Sequence, residues 1–440
     1  METIYALSSG KLPSGVAVIR ISGPQVRFVV ETICQKLPNP RELLLSTFVS
    51  GDGSIIDRGL VCYFSAPHSF TGEDCAELHC HGSLAVVRAL LAQLSKFDNL
   101  RAADAGEFTK RAFLNGKMDL TSAEGLADLL AAETEGQRRL AISQADGGLK
   151  ALYDGWRQRL IRLRSMVEAA IDFSEEDDVA VRAMLTVRSD ASVLQSEINN
   201  HIGKYRSTEI IQDGFRVVIL GAPNAGKSSL LNALAGREVA IATDEAGTTR
   251  DLIDVRLELG GNLVIVTDTA GIRANPGKVE RIGISRAHQR ASSADLVLLT
   301  SDVCAPVVFD ADLRGIDSLK VGLQLDRIDE HSLNSHLLAD FDLLVSAKTG
   351  DGLDALFGEI ARRANVASVT EGLAPGRERQ VSLLAAVNVS LAQVSALSES
   401  ELDLVGELLR RSTDMLGRIT GRVDVEELLD VIFSQFCVGK

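Results

Sequence analysis

The stretch FRVVILGAPNAGKSSLLNAL, residues 215–234, decides the fold of the central part of the chain. An apolar strand, a loop bounded by two glycines and the start of a helix follow one another directly, which is typical of a parallel α/β sheet with a phosphate-binding loop. The segment from Gly221 to Ser228 fits the pattern G-x-x-x-x-G-K-[ST]. In this pattern backbone amides bind the phosphates, Lys227 reaches the β and γ oxygens, and the Ser228 hydroxyl binds Mg²⁺.

A second phosphate-site element lies further along the chain. The string DTAG, residues 268–271, follows another apolar strand, LVIVTD, residues 263–268. From the end of that strand Asp268 can reach the water shell of the metal, and the Gly271 amide can contact the γ-phosphate. Two such elements in this order, each at the end of a strand, predict a nucleoside triphosphatase.

The base is predicted from a segment that follows the apolar stretch VGLQL, residues 321–325. A guanine-binding motif N-K-x-D is expected after such a strand, and Asp-Arg-Ile-Asp, residues 326–329, occupies its place. Asp329 can accept from the guanine N1 and N2 donors, and Arg327 can lie on the ring. Asp326 departs from the motif, because a carboxylate cannot donate to guanine N7, so we expect a weaker guanine affinity. The later Ser-Ala-Lys string, residues 346–348, favours guanine over adenine, and GTP is the predicted nucleotide.

The composition excludes several classes of protein. The 440 residues include 46 Lys and Arg against 60 Asp and Glu, a formal charge of −14, so any nucleic-acid contact is expected to be local or made with a partner. No apolar stretch approaches the roughly 20 residues that span a bilayer, and the first residues lack a signal or transit pattern, which predicts a cytoplasmic protein with no membrane partner. The 6 cysteines form no C-x-x-C pair, which favours reduced thiols.

The character of the sequence changes three times along the chain. Short strands and turns come first, long helical stretches follow, and the α/β segment interrupts those helices before they resume. The predicted fold is an α+β N-terminal domain (1–118), a split all-α helical domain (119–213 and 372–440) and an inserted α/β P-loop domain of the Ras-like G type (214–371). Such an insertion is allowed when the ends of the inserted domain lie close together.

Alternation in CAELHCH, residues 75–81, predicts a strand with one buried face. The even-numbered side chains share one face, and Glu77 lies on the other with both histidines. A zinc site of these histidines with Cys75 and Cys80 is the alternative, but the usual spacing of zinc ligands is absent.

Two helical patterns describe the segment after residue 118. Thr121 followed by Glu124 predicts a capping box at the start of the first helix. A stripe at helical spacing predicts the core of a helix bundle, and its members are Trp156, Leu160, Leu163, Val167 and Ala170.

Hydrolysis requires an oriented water and neutralised phosphate charge. Many GTPases carry a Gln directly after the glycine of the DTAG-type motif, but Ile272 stands there. Two interpretations remain open: a slow switch that awaits a residue of a partner, or a different catalytic device. Asn224 and the segment TDEAGTTRD, residues 243–251, favour the second.

Further strings extend over essentially the whole chain. They are VIRISGP (18–24), FSAPHSFTGED (64–74), ELHCHG (77–82), GEFTKRAFLNGKMDLT (106–121), GAPNAGKSSLLNALAGRE (221–238), AGTTRD (246–251), DTAGIR (268–273), VERIGI (279–284) and FCVGK (436–440). With these strings the chain resembles the MnmE family of tRNA modification GTPases, also called TrmE. The strings of the α/β segment alone would fit several ribosome-assembly GTPases, whereas the N-terminal and C-terminal strings would not.

The resemblance implies a K⁺-stimulated GTPase that is activated when two G domains dimerise, with K⁺ doing the work of an arginine finger. It implies Thr249 as a second Mg²⁺ ligand beside Ser228, Glu280 as the catalytic acidic residue and Arg273 as a nearby switch residue. The implied K⁺ ligands are Asn224, Thr243, Glu245 and Thr248. Glu245 replaces an apolar residue, but only its carbonyl is needed. The implied GTP-binding residues are Asn224, Ala225, Gly226, Lys227, Ser228, Ser229, Thr243, Thr248, Thr249, Asp268, Thr269, Ala270, Gly271, Asp326, Arg327, Asp329, Ser346, Ala347 and Lys348.

The resemblance also implies a folate site in the N-terminal domain. The ligand is 5,10-methylene-tetrahydrofolate, with 5-formyl-tetrahydrofolate as an analogue, and the implied contacts are Arg20, Glu77, Lys117 and Lys440. A pterin presents an N–H beside an amino group, so a carboxylate such as Glu77 can pair with both. Cys437 is implied either in the modification chemistry or in shaping the folate pocket.

The family works as a homodimer with a FAD-containing partner, MnmG. Together they add an aminomethyl or carboxymethylaminomethyl group to C5 of the wobble uridine of tRNA, which is held largely through the complex, and FAD belongs to the partner only. The alternative is a ribosome-assembly or signalling GTPase that acts only as a binding switch.

Overall fold

The computed structural model describes residues 2–172, 177–237, 239–241, 254–268, 293–306, 316–328, 340–369, 372–423, 429, 432–434, 436 and 438–439. The chain divides into two compact units. The first consists of Met1–Ala127, Gln144–Ser196 and Ser382–Lys440, and the second of Asp128–Ser143 and Glu197–Val381.

The first unit contains a mixed six-stranded sheet. Its strands are β1 (Thr3–Leu7), β2 (Ser14–Ser22), β3 (Leu43–Val49), β4 (Ile55–Phe64), β5 (Cys75–Gly82) and β6 (Leu100–Ala102). Their order is β3-β4-β5-β2-β1-β6, antiparallel throughout except for the parallel pair β1 and β6. Helices α1 (Val26–Cys34) and α2 (Leu84–Leu94) pack on this sheet and share its apolar core.

The alternation predicted for residues 75–81 is confirmed in β5. Ala76, Leu78 and Cys80 are buried in the core, whereas Glu77 and His79 are only half-buried on the opposite face. The cysteine Cys80 therefore points away from the histidines, because side chains alternate along a strand. This geometry argues against the zinc alternative.

The remaining helices of the described residues range from 8 to 27 residues in length. They are α3 (Glu107–Leu114), α4 (Leu120–Ala131), α5 (Glu135–Ala145), α6 (Gly148–Asp172), α7 (Asp177–Gly203), α8 (Tyr205–Asp213), α9 (Lys227–Ala235), α10 (Leu353–Ala367), α11 (Glu378–Ala396) and α12 (Leu402–Thr420). Helix α6 packs against α12, and the predicted stripe from Trp156 to Ala170 is buried there as expected. No helix in the described part of the chain is both long and apolar enough to span a bilayer.

The predicted capping box at Thr121 is wrong by two positions. Helix α4 begins at Leu120, and the carboxylate Oδ1 of Asp119 accepts the backbone N–H of Thr121 at 2.9 Å and of Ser122 at 3.3 Å. Asp119 is therefore the capping residue, because an N-cap side chain satisfies the free amides of the second and third helical positions. Glu124 is buried at the fifth position of the helix and not at its third, where a capping box needs it.

The second unit contains a six-stranded sheet that is parallel except at one edge. Its strands are β7 (Phe215–Gly221), β8 (Asp254–Leu259), β9 (Asn262–Asp268), β10 (Leu296–Asp302), β11 (Ser318–Leu323) and β12 (Leu343–Val345). They are ordered β12-β11-β10-β7-β9-β8, with β8 antiparallel to β9. Residues of the strands, α9 and α10 form one apolar core. The predicted fold class, an α+β N-terminal part, a helical part and a Ras-like α/β part, is confirmed.

Candidate functional site

The order of the parallel strands fixes where the second unit can bind a ligand. The neighbours of β7 in the sheet are β10 on one side and β9 on the other. The strands that follow β7 in the sequence are therefore added first on the β9 side and then on the β10 side, so the strand order reverses at β7. In open α/β sheets, ligands bind at the carboxyl ends of the strands beside such a reversal. The predicted phosphate-site residues lie at these strand ends, with Gly221 ending β7 and Asp268 ending β9.

The phosphate loop requires glycine at its first position. A Cβ atom at Gly221 would lie 2.2 Å from the carbonyl oxygen of Thr300 on the neighbouring strand β10. Asn224 and Gly226 have left-handed backbones, with φ of 64° and 99°, and Gly226 immediately precedes α9. This path turns the loop around the first turn of α9, where free backbone amides favour an anion.

Lys227 and Ser228 hold defined positions at the start of α9. The Lys227 ammonium donates to the carbonyls of Gly221 at 2.9 Å and Ala222 at 2.7 Å. Burial lowers the pKa of Lys227 from its ordinary value, and the Asp268 carboxylate partly offsets this effect. The Ser228 hydroxyl donates to Oδ2 of Asp268 at 3.0 Å. A hydroxyl and a carboxylate in contact supply the hard oxygen ligands that Mg²⁺ prefers, so the donor set fits this metal.

A cavity of about 640 Å³ opens beside the loop. On one side it is lined by the predicted residues Asn224, Gly226, Lys227, Ser228 and Ser229, and on the other by Asp326, Arg327, Ala347 and Lys348. Ala225 of the loop is buried, and the hydroxyl of the buried Ser346 donates to Oδ1 of the cavity-lining Asp326 at 2.7 Å. The structure therefore brings the described nucleotide residues together at one edge of the sheet.

Several predicted residues lie outside the described part of the chain, and their predictions stay predictions. They are Thr243, Glu245, Thr248, Thr249, Thr269, Ala270, Gly271, Arg273, Glu280, Asp329, Cys437 and Lys440.

Sequence reasoning missed one residue that lines the nucleotide cavity, Gln324, and one that holds a lining residue in place, Asp302. Gln324 follows β11 and lines the cavity, and Asp302 ends β10 and pairs with Arg327, with Nη1 and Oδ2 2.9 Å apart. Both are polar residues at the carboxyl end of an apolar strand, and this signal could have identified them. Arg327 is thus held by a carboxylate of the sheet as well as facing the cavity.

The N-terminal sheet brings two predicted folate residues into direct contact. Arg20 of β2 is paired in register with Glu77 of β5, and its Nη2 lies 2.9 Å from Oε1 of Glu77. Nε2 of His79 lies 3.4 Å from the other carboxylate oxygen, Oε2. The Arg20 guanidinium also lies 5.2 Å from the ring centroid of Phe70 and 5.8 Å from that of Phe108. Positive charge, carboxylate and aromatic faces therefore meet on the open face of the sheet.

Lys117 contacts the loop 65–74, which also carries the Phe70 ring that lies against Arg20. Its ammonium donates to the carbonyl of Pro67 at 3.0 Å, and it lines, together with Phe70, a cavity of about 950 Å³. The end of the chain approaches from another side, because the Ser8 hydroxyl donates to the carbonyl of Gly439 at 2.6 Å and Val438 pairs with Ala105. The described end of the chain therefore contacts the segments that follow β1 and β6.

A largely buried ion-pair network holds the loop 65–74 in place through Glu73. Arg111 donates from Nη1 to Oε2 of Glu73 at 3.0 Å and from Nη2 to Oε1 of Glu107 at 2.9 Å. Glu73 also accepts from the Ser22 hydroxyl at 2.8 Å. Burial alone would raise the pKa of Glu107, but Arg101, the Asp104 amide and Arg111 together lower it. The network ties α3 and β2 to the loop that carries Phe70.

Comparison with known proteins covers the whole chain. A family model described as "MnmE helical domain" matches residues 120–437, and one described as "GTP-binding protein TrmE N-terminus" matches residues 3–117. The tRNA modification GTPase MnmE of Brucella canis is 52% identical over 441 residues, covering 100% of this chain and 98% of that protein. The protein of the same name from Mesorhizobium japonicum is 52% identical over 440 residues, covering 100% of this chain and 99% of its own.

Among solved structures, the G domain of the T. maritima FeoB iron transporter is 26% identical, covers 34% of this chain and 98% of its own, and has a TM-score of 0.26. The full-length identity and the two family models, together with the phosphate loop at the end of β7, lead to one conclusion: the chain belongs to the MnmE family of tRNA modification GTPases.

Proposed function

We propose that this chain is the K⁺-stimulated GTPase subunit of an enzyme that modifies C5 of the wobble uridine of tRNA with a carbon from methylene-tetrahydrofolate. The observation that carries the proposal is the contact of Ser228 with Asp268 beside Lys227, at the carboxyl ends of β7 and β9. Relatives at 52% identity are named tRNA modification GTPases, which supports the same activity here. Their match over the whole chain disfavours the alternative of a ribosome-assembly or signalling switch.

In the nucleotide cavity each described residue has a separate task. Lys227 supplies positive charge at the phosphates. Ser228, with Thr249 outside the described residues, would bind Mg²⁺, Asp268 would contact its water shell, and the bound ion would neutralise phosphate charge. Asn224, which has a left-handed backbone within the loop, is proposed as a K⁺ ligand. The other proposed K⁺ ligands and Glu280, the proposed catalytic acidic residue, lie outside the described residues.

At the folate site the chain supplies a carboxylate whose two oxygens have different neighbours. Oε1 of Glu77 accepts from Arg20, whereas Oε2 faces His79 at 3.4 Å. Glu77 can thus accept from the pterin N–H and amino group while Arg20 holds the carboxylate in place. Lys117 and Lys440 are suited to the anionic tail of the folate. Cys437 is proposed to act in the modification chemistry or in shaping this pocket.

We propose a homodimer that uses the open face of the N-terminal sheet. Leu43 and Leu45 of β3 and Leu60 of β4 are exposed, and the register Leu45 to Leu60 to His79 places them on the face of Glu77. An exposed apolar stripe beside charged residues marks an association surface. MnmG, with its FAD, is the proposed second partner, and with a charge of −14 this chain leaves most tRNA contact to the complex.

We further propose three domains in a cytoplasmic protein. The N-terminal folate domain spans 1–118, the helical domain 119–213 with 372–440, and the inserted G domain 214–371. The long helices α6 and α12, which pack together although one precedes and the other follows the inserted segment, support this division.

The proposal is tested on the purified full-length chain by two measurements. GTP turnover is expected to be markedly faster in K⁺ than in Na⁺, and calorimetry is expected to show 5-formyl-tetrahydrofolate binding that Glu77→Gln weakens at least about tenfold. The matched control is Glu31→Gln, an exposed carboxylate of α1 on the other face of the sheet. Equal rates in both salts would refute the K⁺ assignment, and absent folate binding by the wild type would refute the one-carbon chemistry. Cys437→Ser should spare GTP turnover and abolish the wobble modification found by nucleoside analysis.

A further inference from the structure

The guanine motif of this chain lacks an amide at its first position. Asp326 stands there, and its Oδ1 accepts from the Ser346 hydroxyl at 2.7 Å. An ionised carboxylate only accepts hydrogen bonds, so Asp326 cannot donate to N7 of a purine. If the cavity is to offer N7 a donor, another residue must supply it.

Gln324 places an amide in the same cavity wall two residues earlier. Its Nε2 donates to the backbone carbonyl of Asn224 at 3.1 Å, which links the segment after β11 to the phosphate loop. A Cβ atom built on Gly226 would lie 3.6 Å from this Nε2, so the amide packs directly on the loop. Gln324 has a left-handed backbone, φ 63°, a conformation that non-glycine residues rarely adopt unless their surroundings hold them there.

The orientation of this amide is determined by its neighbours. Nη1 of Arg327 donates to Oε1 of Gln324 at 2.5 Å and to Oδ2 of Asp302 at 2.9 Å. Arginine carries only donors, so the amide atom that faces it must be the oxygen, and the nitrogen must point to Asn224. The chain of contacts from Asp302 through Arg327 therefore fixes which end of Gln324 reaches the loop.

Among the described residues, one hydrogen of this amide has no acceptor. A glutamine Nε2 carries two hydrogens, and the contact with the Asn224 carbonyl uses one of them. Gln324 lines the cavity whose walls are the phosphate loop on one side and the guanine-motif and Ser-Ala-Lys segments on the other, where the purine of a bound nucleotide belongs.

We propose that Gln324 replaces the missing motif amide: it tethers the phosphate loop and donates the hydrogen bond to N7 of guanine. The inference rests on the proposed GTP binding and identifies a nucleotide-contacting residue within it. It also revises the expectation of weaker guanine affinity, because the donor is displaced by two positions and not lost.

The test compares GDP with 7-deaza-GDP, in which a C–H replaces N7, by displacement of a fluorescent GDP analogue from the full-length protein. The wild type should bind 7-deaza-GDP about fivefold more weakly than GDP, the effect of one neutral hydrogen bond. Gln324→Leu should bind GDP about fivefold more weakly or worse, and it should no longer distinguish the two ligands. Restoring the amide in Gln324→Leu/Asp326→Asn should restore the discrimination.

The control is Arg362→Leu, an exposed residue of α10 that pairs with Glu359 and should leave both affinities and their ratio unchanged. Discrimination that survives in Gln324→Leu, a wild type that binds both ligands equally, or a double variant that fails to recover would each overturn the inference. A wild type that binds no GDP would instead refute the proposed nucleotide function, so the two failures are distinguishable. A merely structural role of Gln324 would lower both affinities and keep their ratio.

Discussion

Replacement of Arg111 by Met should destabilise the first unit far more than the loss of an ordinary surface ion pair. The Arg111 side chain is 8% exposed and lies between the carboxylates of Glu73 and Glu107, which are 15% and 12% exposed. Met keeps much of the length and apolar volume of the side chain but removes the charge. Both carboxylates then lose a donor in surroundings where water reaches them poorly.

The size of the effect follows from this burial. Breaking a buried ion pair by removing one partner costs about 3–5 kcal/mol, because the remaining charge is left without compensation. Glu107 keeps Arg101 and Glu73 keeps the Ser22 hydroxyl, so we expect the lower end, about 3 kcal/mol. The matched control Arg411→Met removes a 63% exposed guanidinium from its pair with Glu407 on α12, where a much smaller loss is expected because water screens an exposed pair.

Trp156 makes the measurement simple. It is the single tryptophan of the chain, it is 4% exposed, and it lies in the same compact unit as both arginines. Urea unfolding followed by its fluorescence should separate the variants by midpoint. Because Arg111 also fixes the loop that carries Phe70, folate binding should weaken in Arg111→Met and remain unchanged in Arg411→Met. Equal urea midpoints for Arg111→Met and Arg411→Met would show that the buried ion pairs of Arg111 contribute no more stability than an exposed pair, and would refute the prediction.

Three further results are expected. Burial, with the nearby Lys204 charge, lowers the pKa of His201 to about 4, whereas the unfolded chain titrates near its ordinary value of about 6.5. About 3 kcal/mol of stability is fully present above pH 6.5 and should be lost as the pH falls toward 4. Calorimetry of His201→Gln should show a free energy of unfolding that falls less steeply between these pH values. The same steep fall in the variant as in the wild type would contradict the assignment. Gly221→Ala should lower the free energy of unfolding by about 1–3 kcal/mol and abolish GDP binding, because the added Cβ would clash with the Thr300 carbonyl. A binding titration that gives the wild-type affinity would show that strand β10 can move enough to accept the Cβ. Ser228→Ala should raise the Mg²⁺ concentration needed for half-maximal GTP turnover at least about tenfold, and an unaltered Mg²⁺ profile would exclude Ser228 as a ligand.

Features encoded by neighbouring residues could be predicted from the sequence. The strand, glycine-bounded loop and helix at residues 215–234 follow from local hydrophobicity and glycine spacing, and the alternation in residues 75–81 follows from strand geometry. The family, the fold class and the assignment to tRNA modification GTPases are confirmed. The capping prediction failed because Asp119 and Thr121 are both good capping residues, and the choice between them depends on where the chain turns.

Contacts between distant segments could not be predicted in the same way. Gln324 meets Asn224 across 100 residues of chain, and Arg111 meets Glu73 across 38 residues. Nothing in the sequence near Gln324 shows that its amide will face the phosphate loop, because the contact depends on the parallel pairing of β10 with both β7 and β11. Such pairings are a property of the folded sheet.

The pairing of Val438 with Ala105 constrains how the protein is made on the ribosome. The first unit draws on both ends of the chain, whereas the second ends at Val381. Domains fold as units during synthesis, so the interior unit can complete its sheet while the outer one still waits for its last segment to emerge. Early translation products therefore expose the face of α6 that α12 later covers, and this interval is when a chaperone would be needed most.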